Sequence, residues 1–262
     1  MFKKNKLNKF YSNSSKIRLD IIEILFKAQS GHSGPSLSIV EILNYLFFQK
    51  KIYKDFNNRD HFVLSKGHAV PALYSVLFNL NLISKKNFQS FREIGSSLQG
   101  HPDRTKLKYI ELGTGALGQG LSVSIGFALG NLMLRKNKKS FCLIGDGEIQ
   151  EGQIWEAAMY AGAHKLKDLC VILDNNKMQN ETHTKKTLDR LTTFSEIDLL
   201  VVGAGVGGLE LAFEVNKKWR GSKSILVVDQ ADYVGGRVRS VTDTYKNKKI
   251  SYEAGAARFN KH

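Results

Sequence analysis

An aspartate between two glycines, Gly145-Asp146-Gly147, is followed by the paired asparagines Asn175 and Asn176, with 30 residues separating Asp146 from Asn176. A carboxylate and a carboxamide are hard oxygen donors of the kind Mg2+ prefers, and that cation commonly completes its octahedron with phosphate oxygens. Gly145 and Gly147 leave the backbone free to approach a diphosphate without an intervening side chain. A strand-end turn closed by an Asx side chain would explain GDG alone; GDG with NN at this distance is far more specific. A second set is three histidines, His32, His68 and His101, each preceded by glycine. Glycine frees the backbone at a loop, and an imidazole there can donate to a phosphate or a substrate oxyanion. Singly, each reads as a loop-packing histidine. A third set is Gly203, Gly205 and Gly208 in GxGxxG spacing, with Asp229 following 21 residues after Gly208. That pattern suits a dinucleotide, its pyrophosphate at a helix N-terminus and its ribose hydroxyl on the carboxylate.

Chemistry of this kind needs elements that bring the residues to one edge. "KSFCLIG" and "DLCVILD" are short apolar strand-like runs, and "QIWEAAMYAGAHKL" between them has helical spacing. The three make a βαβ unit with parallel strands, which puts Asp146 and Asn176 just past neighbouring carboxyl ends, where open α/β sheets bind ligands. Upstream, "KIRLDIIEILFKAQ", "SIVEILNYLFFQ" and "AVPALYSVLFNLNLI" read as helices. Residues 180–196 follow neither period and read as a polar connector. A strand "IDLLVVGAG", a helix "VGGLELAFEVNKKW" and a strand "SILVVD" then begin a second unit. The expected fold class is α/β, a parallel sheet with helices on both faces followed by an incomplete Rossmann-like βαβ unit. The expected domains are residues 1–190 and 197–262, joined by a linker at 191–196.

Composition narrows the partners. The formal charge of +15 would suit an anionic ligand such as a sugar phosphate. The lysines are scattered among asparagines and isoleucines with no aromatic-basic stripe, so nucleic acid is not expected as a partner. No apolar run is long enough to cross a bilayer, and the basic start "MFKKNKLNKF" has no apolar signal core, so no membrane partner is expected either. Cys142 and Cys170 sit in apolar runs without disulfide or metal spacing, as in a protein of the reducing cytosol.

Residues 15 to about 190 resemble the N-terminal, thiamine diphosphate-binding part of transketolases. The resemblance is carried in order by "SGHSGPSLSIVEIL", "LSKGHAVPALYSVL", "LQGHPD", "GTGALGQGLSVSIGFALG" and the GDG to NN stretch. It implies that Asp146, Asn176 and the backbone carbonyl of Met178 hold Mg2+, with His68 and Gly147 on the diphosphate. It also implies Gly115 and Leu117 against the aminopyrimidine, His32 and His101 along the sugar channel, and Glu151 in a carboxylate network near a subunit interface. Ser33 departs from the proline of many transketolases. The implied reaction transfers a two-carbon ketol unit between sugar phosphates. It requires a glutamate from a pyrimidine-binding domain, which no stretch of this sequence resembles, so a second transketolase-type subunit or a homo-oligomer is the expectation.

The tail resembles the FAD-binding start of flavin amine oxidases through "DQADYVGGRVRSV" and "YEAGAARF". That likeness implies FAD, with Gly236 and Arg237 near its phosphates and Asp229 where the family usually has glutamate. Two other readings follow from it, a flavin oxidoreductase fragment and a non-catalytic fusion of two cofactor-binding remnants. About 66 residues enclose too little of a flavin for tight binding. A half-formed flavin fold exposes an unpaired sheet edge and apolar faces, so deleting residues 197–262 is expected to improve solubility without weakening binding of thiamine diphosphate.

Overall fold

The computed structural model describes residues 4–53 and 58–179, with short strands at 182–183, 199–202, 225–228, 244–245, 248–249, 252–253 and 256–258. The chain divides into two compact units, Met1–Gly120 and Leu121–His262.

The first unit opens with a long helix, α1 (Lys4–Ala28). Phe10, Ser14, Ile17, Ile21 and Ile24 recur at helical spacing and are buried, the three isoleucines at 2% exposure or less. That stripe is what the sequence period requires of a core-facing helix, and each buried isoleucine contributes about 1.5–3 kcal/mol. It packs on α3 (Val40–Asn44) and α4 (Val70–Asn79), with the short α2 (Ser33–Ser38) preceding α3. Polar groups within this packing are matched. Asn44 Nδ2 donates to Phe10 O and Ser14 Oγ, both at 2.8 Å, and Asn79 Nδ2 donates to Asp20 Oδ2 at 2.5 Å. Burial raises the Asp20 carboxyl above its ordinary value, against the pull of the Asn79 bond.

The sequence pattern predicts one helix over 38–49. Instead α2 gives way to α3 at Ile39, and α3 widens into a π-turn over Tyr45–Gln49, closed by Lys50 N donating to Tyr45 O at 2.9 Å. Tertiary packing decides this. Phe47 meets Phe62 and Tyr53 edge-on at centroid distances of 5.3 and 4.8 Å, and the wider turn places it there. Strand β1 (His61–Leu64) leads into a 3-10 turn, Gly67–Ala69, and then α4, which is mostly apolar and is buried over Val70–Leu77. A short α5 (Lys85–Gln89) is capped by Ser84, whose Oγ accepts from Asn87 N at 3.2 Å.

Helix α6 (Gln119–Met133) begins at the end of the first unit, and all but its first two residues belong to the second. There β2 (Ser140–Gly145), α7 (Gly152–Ala163) and β3 (Leu169–Asp174) form the expected βαβ unit. β2 and β3 are parallel, in register from Ser140↔Leu169 to Gly145↔Asp174. β2 is buried along its whole length and β3 everywhere except Cys170, which explains their continuous apolar runs. The connector expected after residue 180 contains strand: β4 (Met178–Gln179) pairs antiparallel with β5 (Thr182–His183). Two-residue strands are too short to show a period.

The tail strands β6 (Leu199–Val202) and β7 (Ile225–Val228) are parallel, as the βαβ reading predicts. β6 also pairs antiparallel with β3, Val171↔Val202 to Asp174↔Leu199, so the sheet continues across the expected linker. After the two-residue pair β8 (Thr244–Tyr245) and β9 (Lys248–Lys249), the strands β10 (Tyr252–Glu253) and β11 (Ala256–Arg258) follow. β11 pairs with β7 and β10 with β11, both antiparallel. No helix among the described residues is long and apolar enough to cross a membrane.

Candidate functional site

In the first unit the three glycine-preceded histidines come from loops far apart in sequence. His32 immediately precedes α2, His68 lies in the 3-10 turn before α4, and His101 follows the loop after α5. The rings of His32 and His68 meet edge to face at 5.4 Å between centroids. The turn that seats His68 depends on Gly67: a Cβ there would lie 2.8 Å from the backbone carbon of Thr114 and 2.9 Å from its oxygen. Thr114 is in turn held by its Oγ1 donating to Leu64 O at 2.7 Å.

Gly115 has a φ of 155°, and a Cβ on it would lie 3.2 Å from the His101 ring, so the absent side chain is what lets the ring lie there. His101 titrates below its ordinary value, first because protein around the ring disfavours the charged form, then because of Arg92 and His32. Tyr74 Oη donates to His101 O at 3.3 Å, and burial pushes the Tyr74 phenol upward. Leu117 is half-buried in the loop beyond Gly115.

In the second unit the strand-end pair forms as the spacing requires. Gly145 and Asp174 are register partners, and Asp146 N donates to Asp174 O at 3.2 Å, extending the ladder by one residue. Asp146 is 4% exposed. Past the end of β3, Asn176 Oδ1 accepts from Met178 N at 2.9 Å in an Asx turn, and Lys177 takes the left-handed conformation at φ 63°. Asn176 Nδ2 donates to Asp174 Oδ2 at 3.3 Å, and Oδ1, one lone pair of which accepts from Met178 N, has a second lone pair with which it could ligate a cation.

Gly147 faces the hairpin: a Cβ there would lie 2.9 Å from Gln179 Cβ. Glu151, with extended backbone, is the exposed residue preceding α7. Glu148 was not among the residues the motif suggested, yet it is 1% exposed and its Oε2 accepts from Gly145 N at 3.2 Å. Its position directly after GDG is the only hint of this in the sequence. Among the described residues no group of three or more His, Cys, Asp or Glu is placed to hold a metal. The donors of Asp146, Asn176 and the Met178 carbonyl are a carboxylate, an amide and a backbone oxygen. That set fits a hard cation that takes its remaining ligands from a diphosphate.

Gly203, Gly205, Gly208, Asp229, Gly236 and Arg237 lie outside the described residues.

Residues 11–199 match the family described as transketolase, thiamine diphosphate binding domain. The chain belongs to the transketolase family. Residues 201–262 match an NAD(P)-binding Rossmann-like domain. One subunit of the apulose-4-phosphate transketolase of Phocaeicola vulgatus is 36% identical over 257 residues, covering 94% of this chain and 86% of that one. Human transketolase is 38% identical over 178 residues, covering 66% of this chain and 28% of its own length. The transketolase of Leishmania mexicana superposes with a TM-score of 0.69 at 24% identity, over 84% of this chain and 36% of that one, and so shows the transketolase fold. This chain thus spans less than a third of the human transketolase it matches.

Proposed function

We propose that this chain is the thiamine diphosphate-binding component of a transketolase assembled from two kinds of chain. Its reaction is the Mg2+-dependent transfer of a two-carbon ketol unit between sugar phosphates. The observation that carries this reading is the placement of Asp146 and Asn176 at the carboxyl ends of the adjacent parallel strands β2 and β3. When bound, the cofactor supplies the electron sink for cleavage of a carbon–carbon bond. Asp146, Asn176 and the Met178 carbonyl hold its metal, while Gly147 and His68 contact its diphosphate and Gly115 and Leu117 face its aminopyrimidine.

His32 and His101 line the sugar channel and donate hydrogen bonds to substrate oxygens. Glu151 lies beside the partner chain. The Phocaeicola relative is named as one subunit of its enzyme, which supports a partner of this kind. Residues 1–190 form the cofactor-binding domain, and the protein works in the cytoplasm. Calorimetry of thiamine diphosphate with and without Mg2+ tests the assignment: binding that is indifferent to the metal would overturn it. Ketol transfer by the single chain, without a partner, would overturn the two-chain reading.

A second reading concerns the tail alone. The parallel pair β6 and β7, which flanks the GxGxxG stretch, supports a dinucleotide site at Gly203, Gly205, Gly208 and Asp229. FAD, approached by Gly236 and Arg237, is the ligand its resemblance favours. Because about 66 residues enclose little of a flavin, the purified chain should be colourless and take up added FAD only weakly; no uptake would exclude the site, and stoichiometric flavin retained through purification would overturn the expectation of weak binding.

A further inference from the structure

Arg92 stands in the loop after α5 with a left-handed backbone, φ 62°, which arginine seldom adopts. Its own N–H donates to Leu98 O at 2.9 Å, closing the loop beneath it. The guanidinium lies against Gly100: a Cβ on that glycine would be 2.5 Å from Nη2, 2.7 Å from Nε and 2.8 Å from Cζ. From there Nη1 donates to Ser30 Oγ. Ser30 is two residues before His32, and Gly100 immediately precedes His101. One planar group therefore touches both loops that carry the exposed histidines. Its Nε is buried with no hydrogen-bond partner among the described residues, a cost that a residue kept only for stability would be expected to avoid.

We propose that Arg92 is a positioning residue that ties the His32 and His101 loops together and keeps a permanent positive charge beside His101. The proposal rests on the assignment of these histidines to the sugar channel. Around His101 the charged and titratable groups are Arg92 and His32, with His68 packed against His32 and the Tyr74 hydroxyl on the His101 carbonyl. Asp103, the nearest acid in sequence, is committed to Thr105, whose N and Oγ1 donate to its Oδ1 at 2.8 and 2.7 Å. The guanidinium therefore favours the neutral imidazole, in line with the depressed titration of His101. A neutral ring keeps one donor and one acceptor, the pair needed to hold a substrate hydroxyl in a fixed orientation. Arginine suits the task because it stays charged at every working pH and presents a planar fork that can rest flat on a glycine.

The test is a histidine-selective NMR titration of the full chain, comparing wild type with Arg92→Gln and Gly100→Ala. The three atoms nearest the methyl group of Gly100→Ala all belong to the far end of the flexible Arg92 side chain, so the change displaces the guanidinium rather than backbone. The expected result is that His101 titrates at a higher pH in both variants. The double variant should go no further than Arg92→Gln alone, because both changes remove one interaction. His61, on β1 beside Glu111, should keep its wild-type midpoint. An unchanged His101 midpoint in a folded Arg92→Gln chain would overturn the proposal, as would His61 and His101 moving together. These readouts need neither cofactor nor sugar. Failure of the transketolase reading would appear separately, as absent metal-dependent binding of thiamine diphosphate by the wild type.

Discussion

The histidine loops of the first unit and the strand-end turn of the second are built in opposite ways. Asp146 and Asn176 need one strand, one helix and one more strand, and the parallel register of β2 and β3 does the rest. His32, His68 and His101 depend on contacts between distant loops: Gly67 against Thr114, Gly115 against the His101 ring, and Arg92 between Ser30 and Gly100. Local construction tolerates change elsewhere, because its geometry is fixed by ladder hydrogen bonds. Assembly from separate loops is sensitive to single atoms, because each loop is held by one or two close approaches. The lesson is that a metal-ligand pair and a substrate-facing cluster in one chain can differ in how they fail.

The largest expected difference is in ligand binding. Asp146→Ala should abolish Mg2+-dependent binding of thiamine diphosphate by calorimetry, because the cation loses its charged protein ligand. His101→Ala should leave that binding intact, since His101 is assigned to the sugar. Loss of cofactor in both variants would erase the division between the two regions.

Next comes the sheet. Deleting residues 197–262 removes β6 from the edge of β3 and leaves that strand's backbone groups unpaired. This contribution to stability is separate from cofactor binding, which the deletion is expected to leave intact. A thermal melt should show a lower midpoint for the shortened chain, and an unchanged midpoint would mean that β6 contributes nothing to β3.

A smaller effect separates two glycines of the first unit. Gly67→Ala pushes a methyl group into the backbone of Thr114, which cannot retreat, and should cost about 1–3 kcal/mol. Gly34→Ala, in α2 with space around the new methyl except for the ring of the following Pro35, should cost less than Gly67→Ala. Chemical denaturation of the two variants gives the comparison directly, and equal effects would show that the His68 turn is not tightly packed.

The smallest effect is a pH dependence of the first unit. Glu111 is partly buried, which alone would raise its carboxyl, but His61 and Arg59 outweigh burial and hold it below its ordinary value. Arg59 Nε lies 2.7 Å from Glu111 Oε1. A folded-state value below the unfolded one means the stabilisation is present above the ordinary carboxylate range and is lost as the pH falls through the folded value. Arg59→Met should therefore lower the melting temperature at neutral pH while converging with wild type in acid. Parallel curves at all pH values would contradict the sign.

Much of this was legible from residues alone. The apolar runs around Cys142 and Cys170 and the helical spacing between them determined the βαβ unit, and with it the edge on which Asp146 and Asn176 lie, because hydrophobic period is a local property of the chain. The order of the glycine-histidine blocks pointed to the family before any contact was known. Three matters were left to the tertiary structure. The π-turn at Tyr45–Gln49 follows from where Phe47 must pack, which no helical period encodes. The pairing of β6 with β3 joins strands across a stretch that reads as polar connector, because ladder partners are chosen by geometry and not by neighbours in sequence. Arg92 carried no motif at all. Its significance depends on a guanidinium resting on one glycine and bonding one serine, 62 residues away along the chain, and such a contact exists only once the loops have been brought together.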